Sequence, residues 1–185
     1  MHHELVRQAQ RGDADAFTTL VASAIDGLYG TARLILRSDD RAQDAVQDAL
    51  IKAWLGIRGL REPDRFDAWL RRLVVHACYD ASRRESHRRV AEIPALEGAG
   101  PATPDTQGDV ALHDQLERGF RRLAPDQRAV LVVHHYLDLA DGEAAQVLGI
   151  PIGTMKSRLS RATSALRASL EADERRPILA KEGAR

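Results

Sequence analysis

The residues best suited to hold a ligand lie in the segment Asp141–Leu170, DGEAAQVLGIPIGTMKSRLSRATSALRASL. Lys156, Arg158, Arg161 and Arg167 give residues 151–170 a local charge of +4, with no acid present. Their chemistry is recognition: cationic side chains pair with phosphates, and arginine also pairs bidentately with a guanine edge. Spacing decides how they are presented. Met155, Leu159, Ala162 and Leu166 fall at i, i+4, i+7 and i+11, one inward face of a helix. Lys156, Ser157, Ser160, Arg161 and Ser164 then lie on outward faces. Glu143–Leu148 suits a short preceding helix, and Gly149 can take positive φ at its end. Pro151 and Gly153 suit a turn, and Thr154 can cap the helix that follows. Two helices about a short glycine-containing turn, the second one basic, is the helix-turn-helix plan. A helical hairpin with a solvated basic face has the same spacing.

A second basic segment, residues 71–89, holds Arg71, Arg72, Arg83, Arg84, Arg88 and Arg89 against Asp80 and Glu85, a local charge of +4. His76 and Tyr79 lie within it. Trp69 falls on an apolar stripe, which assigns it to the core. A third group is acidic and polar: Asp44, Gln47 and Asp48, at i, i+3 and i+4, share a face opposite Val46, Leu50 and Trp54. By spacing alone this is a solvated polar face. Bond-making chemistry has no comparable support. There is no phosphate-binding glycine loop, no metal-ligand motif and no nucleophile beside a base. The single cysteine, Cys78, falls on a helix that reads as buried, where a thiol is inert. His134 and His135 read as core-edge residues. The expectation is a binding protein that is not an enzyme and has no metal or cofactor.

These groups need helices to position them. Val46, Ala49, Leu50, Ala53, Trp54 and Ile57 repeat with helical period, behind the cap candidates Ser38, Asp39 and Asp40. Phe17, Leu20, Val21 and Ala24 form a shorter stripe after Asp13. Leu28, Ala32, Ile35 and Leu36 form another. Phe66, Trp69, Leu70, Leu73, Val74 and Ala77 open a further helix after Asp64. Leu112, Leu116, Phe120 and Leu123 make one more, followed by Val130, Leu131, Val133 and His134. Aromatic residues are only 4%, which argues against a β-sandwich or barrel.

The 27 basic and 27 acidic residues cancel, yet the zero net charge hides two basic segments and an acidic middle, residues 92–126, at −4. That middle contains AEIPALEGAGPATPDTQGDV, residues 91–110, with three prolines and three glycines. Neither helix nor strand should persist there. The reading is all-α: a helical domain over 1–90, an extended Pro/Gly-rich linker over 91–110, a helix-turn-helix domain over 111–170 and a charged tail over 171–185. A long surface loop within one domain is the alternative. No apolar run approaches the roughly 20 residues of a membrane span, and the N-terminus has no signal-peptide core. One thiol and no signal fit a reducing cytoplasm.

The run Ala42–Trp54, AQDAVQDALIKAW, resembles the second conserved region of bacterial sigma factors. Phe66–Arg84, with Trp69-Leu70, Asp80 and Arg83-Arg84, resembles their promoter-melting region. Leu123-Ala124-Pro125 and Arg128, then GTMKSRL over 153–159 and Arg161-Ala162, resemble their fourth region. The three occur in order across most of residues 5–170, with no room for the first and third regions. That layout is similar to the minimal extracytoplasmic-function (ECF) group. The resemblance implies a promoter-specificity subunit that binds core RNA polymerase and promoter DNA and helps open the duplex. The family often has an anti-sigma partner. The resemblance places polymerase docking on Asp44, Gln47 and Asp48, and the minus-ten element against Arg71, Arg72, His76, Asp80, Arg83 and Arg84. It places the minus-thirty-five element against Thr154, Lys156, Ser157, Arg158, Ser160 and Arg161. His76 stands where the family usually has asparagine.

Overall fold

The computed structural model describes the backbone of residues 2–91 and 109–182, and side chains over 2–85 and 115–172. Among the described residues there is no strand, and nine α-helices carry the fold. They are α1 (His2–Gln10), α2 (Ala14–Ala22), α3 (Ile25–Leu36), α4 (Asp39–Gly56), α5 (Phe66–Ala91), α6 (Asp109–Arg121), α7 (Pro125–Leu131), α8 (Asp141–Leu148) and α9 (Ile152–Glu182). The α1 helix is not legible as a stripe, since it buries only Val6 and Ala9.

Helix starts follow local chemistry. Asp13 caps α2, its Oδ1 accepting from the amides of Asp15 and Ala16 at 3.0 Å each. Ser38 Oγ accepts from the Arg41 amide at the start of α4. The α4 and α5 helices form the most extensive helix pair in the protein. Ala42, Ala45, Ala49 and Ala53 of α4 are all buried, between neighbours that include α3 and α5. Phe66, Leu70, Val74 and Cys78 of α5 are fully buried too. Trp69 is half-buried, its ring tilted against Phe66 and lying over Gly56.

In the second half, Gly119 of α6 lets α9 approach. A Cβ there would stand 2.8 Å from Leu166 and 3.2 Å from Leu170. Leu116, expected on the inward stripe, is exposed. After α7 the chain makes one π-helical turn, Val132–Tyr136, closed by the Leu137 amide donating to the Val132 carbonyl at 3.0 Å. Val130, Leu131, Val132 and Val133 are buried together.

Two sequence expectations change. The basic helix begins at Ile152, so Gly153 and Thr154 lie in its first turn and Thr154 is not its cap. The Met155 amide already donates to the Pro151 carbonyl at 2.9 Å, because proline tolerates a helix start. At the other end α9 continues to Glu182, so residues 171–182 prolong a helix. Most of the expected linker, residues 92–108, lies outside the described residues.

The halves on either side of that segment are in contact. The α3 helix packs on α7 and the π-turn, and α5 packs on α8 and α7. Their buried residues form one continuous core.

Candidate nucleic-acid interface

The helix-turn-helix is α8, the turn Gly149–Pro151, and the first half of α9. Gly149 adopts φ +66° and ends α8 with its amide on the Gln146 carbonyl. That left-handed conformation is inexpensive only for glycine. Met155 and Ala162 are fully buried, with Leu159 and Leu166 half-buried behind them. Lys156, Ser157, Ser160 and Arg161 are exposed, as the spacing predicts. Ser157 Oγ donates to the Thr154 carbonyl, and Arg161 Nε donates to the Ser157 carbonyl, which aligns both along the exposed face. Lys156 lies 3.4 Å from Asp141 at the start of α8, so one acid partly neutralises this face. That acid also meets His134, at 3.4 Å.

Arg158 does not join them. It is one-quarter exposed and lies 3.6 Å from Asp126 of α7. Its guanidinium sits beside Tyr79 of α5, whose hydroxyl is pushed up to about 12, chiefly by burial.

The basic segment on α5 divides in the same way. Arg72, Arg83 and Arg84 are exposed, and Arg71 is half-buried. Arg84 pairs with Asp48 at 3.3 Å, and Asp80 pairs with Lys52 at 3.6 Å. His76 faces the other half of the molecule. A Cβ at position 149 would fall 3.1 Å from its Nε2, which is buried beside the Val147 backbone. Burial, with Arg72 next in effect, holds its pKa below the ordinary 6.5. An open cleft of about 590 Å³ runs alongside, lined by Arg65 and Arg72 on one wall and Gln146, Gly149 and Ile150 on the other.

On α4, Asp44 and Gln47 are exposed, and Asp48 is half-buried at the seam with α5. This face continues where the sequence reading stopped. Ile51 and Leu55, three and seven residues beyond Asp48, are 54% and 75% exposed. Helical spacing alone puts them on the Asp44 and Asp48 face, so the signal was present. Cys78 is fully buried, and its thiol is pushed up to about 12 by burial, as an inert core residue requires.

Sequence reasoning missed Arg128 as a structural residue. It is 8% exposed. Its Nε donates to the Ile35 carbonyl at 2.5 Å, and its Nη1 to the carbonyls of Leu123 at 2.8 Å and Phe120 at 3.5 Å. Burial and the nearby Arg37 and Arg41 lower its pKa to about 10. No local pattern marks an arginine that reaches a partner 93 residues away.

Among the described residues, no group of three His, Cys, Asp or Glu side chains is placed to hold a metal. No helix among them is long and apolar enough to cross a membrane.

Residues 20–88 match sigma-70 region 2, and residues 113–166 match sigma-70 region 4. The chain is 32% identical to the ECF RNA polymerase sigma factor SigM of Mycobacterium tuberculosis, over 88% of this chain and 81% of SigM. It is 27% identical to the ECF sigma factor SigW of Bacillus subtilis, over 89% and 94%. Among solved structures it is similar to the sigma factor RpoE of Bartonella quintana in complex with the anti-sigma factor NepR. The TM-score there is 0.71, at 26% identity, covering 85% of this chain and 98% of that one. It is also similar to CnrH in complex with the cytosolic domain of CnrY, with TM-score 0.65 at 28% identity, covering 93% and 98%. A helix-turn-helix, the acidic α4 face and a basic α5 thus occur together in a chain that matches both sigma regions, and the chain belongs to the ECF RNA polymerase sigma factors, which direct promoter recognition and transcription initiation.

Proposed function

We propose that this sigma factor works through three separate surfaces. The α4 face, Asp44, Gln47 and Asp48 extended by Ile51 and Leu55, docks on core RNA polymerase. Exposed apolar side chains beside carboxylates suit a protein partner, because they release water on contact while the acids select orientation. The α5 arginines Arg71, Arg72, Arg83 and Arg84, with His76 and Asp80, meet the minus-ten element. The exposed face of α9, with Lys156, Ser157, Ser160 and Arg161, reads the minus-thirty-five element, and Thr154 and Arg158 support it from the half-buried side.

The reading assigns 1–90 to the first module, 91–110 to a linker and 111–170 to the second module, with 171–185 beyond. The role is that of a non-catalytic cytoplasmic subunit, and the solved relatives support an anti-sigma partner. The observation that carries the proposal is the α9 face. Four polar and cationic side chains are exposed on one face of a helix anchored by Met155 and Ala162.

The test is runoff transcription with purified core polymerase on a promoter library. Transcripts are expected to share upstream elements at two positions, and Asp48→Arg should weaken polymerase binding while leaving the helical content intact. Normal binding by Asp48→Arg would remove α4 from the docking surface. An absence of transcripts with active core would overturn the reading as a whole.

A further inference from the structure

The basic face of α9 meets an opposing charge from the helix beside it. Asp141 is the first residue of α8, and its two carboxylate oxygens go to different partners. Oδ2 lies 3.4 Å from Lys156 Nζ, and Oδ1 lies 3.4 Å from His134 Nε2 on the π-turn. Capping of α8 falls to another acid, since the Ala140 amide donates to Glu143 Oε2 at 3.3 Å. The Asp141 carboxylate is thus left to side chains. It borders an open groove of about 450 Å³, along which lie His135, Lys156, Ser160, Ser164 and Arg167. Asp141 is the acid in that lining, and residues 151–170 contain none.

Lys156 is 62% exposed, and an ion pair this solvated adds little to stability. Its consequence is for binding. A free lysine that meets a phosphate displaces counterions from DNA and gains affinity at any sequence. Paired with Asp141, Lys156 has a shorter reach toward the phosphates. Its ammonium carries three donors, so one can stay on Asp141 while another meets an acceptor on a base edge.

We infer that Asp141 is a specificity-determining residue: its carboxylate tethers Lys156 and lowers the affinity of the α9 face for DNA of the wrong sequence. The inference rests on the proposed reading of the minus-thirty-five element by α9. Phosphate contacts position a protein and base contacts specify, so a charge that weakens the first leaves a larger share to the second.

Four holoenzymes test this: the native chain, Asp141→Asn, Lys156→Ala and the double variant. Open complexes are measured over a salt series on promoters with intact and scrambled upstream elements, and circular dichroism checks the fold of each chain. Asp141→Asn is expected to raise occupancy of the scrambled promoter about fivefold at low salt and to leave the intact one within about twofold. The salt slope on the scrambled promoter should steepen by about one. In the Lys156→Ala background, the same replacement is expected to change neither quantity. Asp141→Glu, which keeps the charge, should retain the native preference.

A native preference in folded Asp141→Asn would overturn the inference. So would an equal rise at both promoters, which would make Asp141 a determinant of affinity alone. An effect that persists without Lys156 would show that Asp141 repels DNA directly and that the pair is not the device. Failure of the α9 reading itself looks different: Lys156→Ala and Arg161→Ala would both keep the native promoter preference. A preference that moves in those two and not in Asp141→Asn overturns the role of Asp141 only.

Discussion

The α4–α5 pair and the α7 to π-turn segment are both buried, by opposite means. The first is a seam between two long helices in one half of the chain, with four buried alanines on α4 and Phe66, Leu70, Val74 and Cys78 buried on α5. The second is twelve residues, Pro125–Tyr136, that pack against α3, α5, α8 and α9. Its burial depends on the other half, and it crosses the boundary with a charged side chain. The first half therefore carries its own core, and the second completes its core by borrowing the end of α3. That asymmetry predicts where substitutions hurt most.

The largest expected effect is at Arg128. Arg128→Leu leaves the Ile35, Leu123 and Phe120 carbonyls without their donor, a loss of about 3 kcal/mol. Chemical denaturation is expected to show the α6–α9 half melting before the α1–α5 half, where the native protein melts in one step. A variant that melts in one step at the native midpoint would break the comparison.

Arg161→Ala and Arg158→Ala come next and should differ in kind. Arg161 is exposed, and its removal is expected to cost about 1–3 kcal/mol of DNA affinity if it pairs with a guanine, at one promoter position only. Should it meet phosphate alone, affinity falls for every promoter and the salt slope drops by about one. Arg158→Ala should instead lower thermal stability and leave sequence preference in place, since its partner is Asp126. Equal effects of both on promoter choice would contradict the facing given above.

Gly149→Ala is smaller. The left-handed φ of +66° costs about 1–2 kcal/mol for any residue with a Cβ. The new methyl group would also crowd the His76 ring at 3.1 Å. Adding His76→Ala is expected to relieve the crowding and leave the strain, so calorimetry on the double variant separates the two. Complete recovery would place the whole cost in the module contact.

The subtlest prediction concerns pH. Where Gly149 covers it, burial first and Arg72 second hold His76 below its ordinary 6.5, with Asp80 acting in the opposite sense and Lys52 reinforcing Arg72. The folded protein thus binds fewer protons at this site than an unfolded chain with a solvated imidazole. Its contribution to stability is present above about 6.5 and is lost as pH falls from there toward the lowered value. Thermal stability should decline over that range, and His76→Asn should flatten the profile. An identical profile in His76→Asn would assign the titration to another group.

Local pattern determined much of this protein. The apolar stripes of α3 and α5, that of α4 apart from the exposed Trp54, the Asp13 and Ser38 caps, the left-handed Gly149 and the outward set Lys156, Ser157, Ser160 and Arg161 all follow from spacing and residue type. Each rests on contacts within one or two helical turns, which a sequence displays directly. Tertiary structure decided the rest. It turned Arg158 inward to Asp126, covered His76 with Gly149, buried Arg128 against α3 and paired Arg37 with Glu117. The α9 start moved to Ile152 because Pro151 can precede a helix as well as break one. An arginine looks the same in sequence whether it will meet phosphate, a carboxylate or a helix end, because its charge is fixed and its partner is not. Packing chose that partner, across separations of 80 residues for Arg37 and 93 for Arg128, which no local pattern encodes.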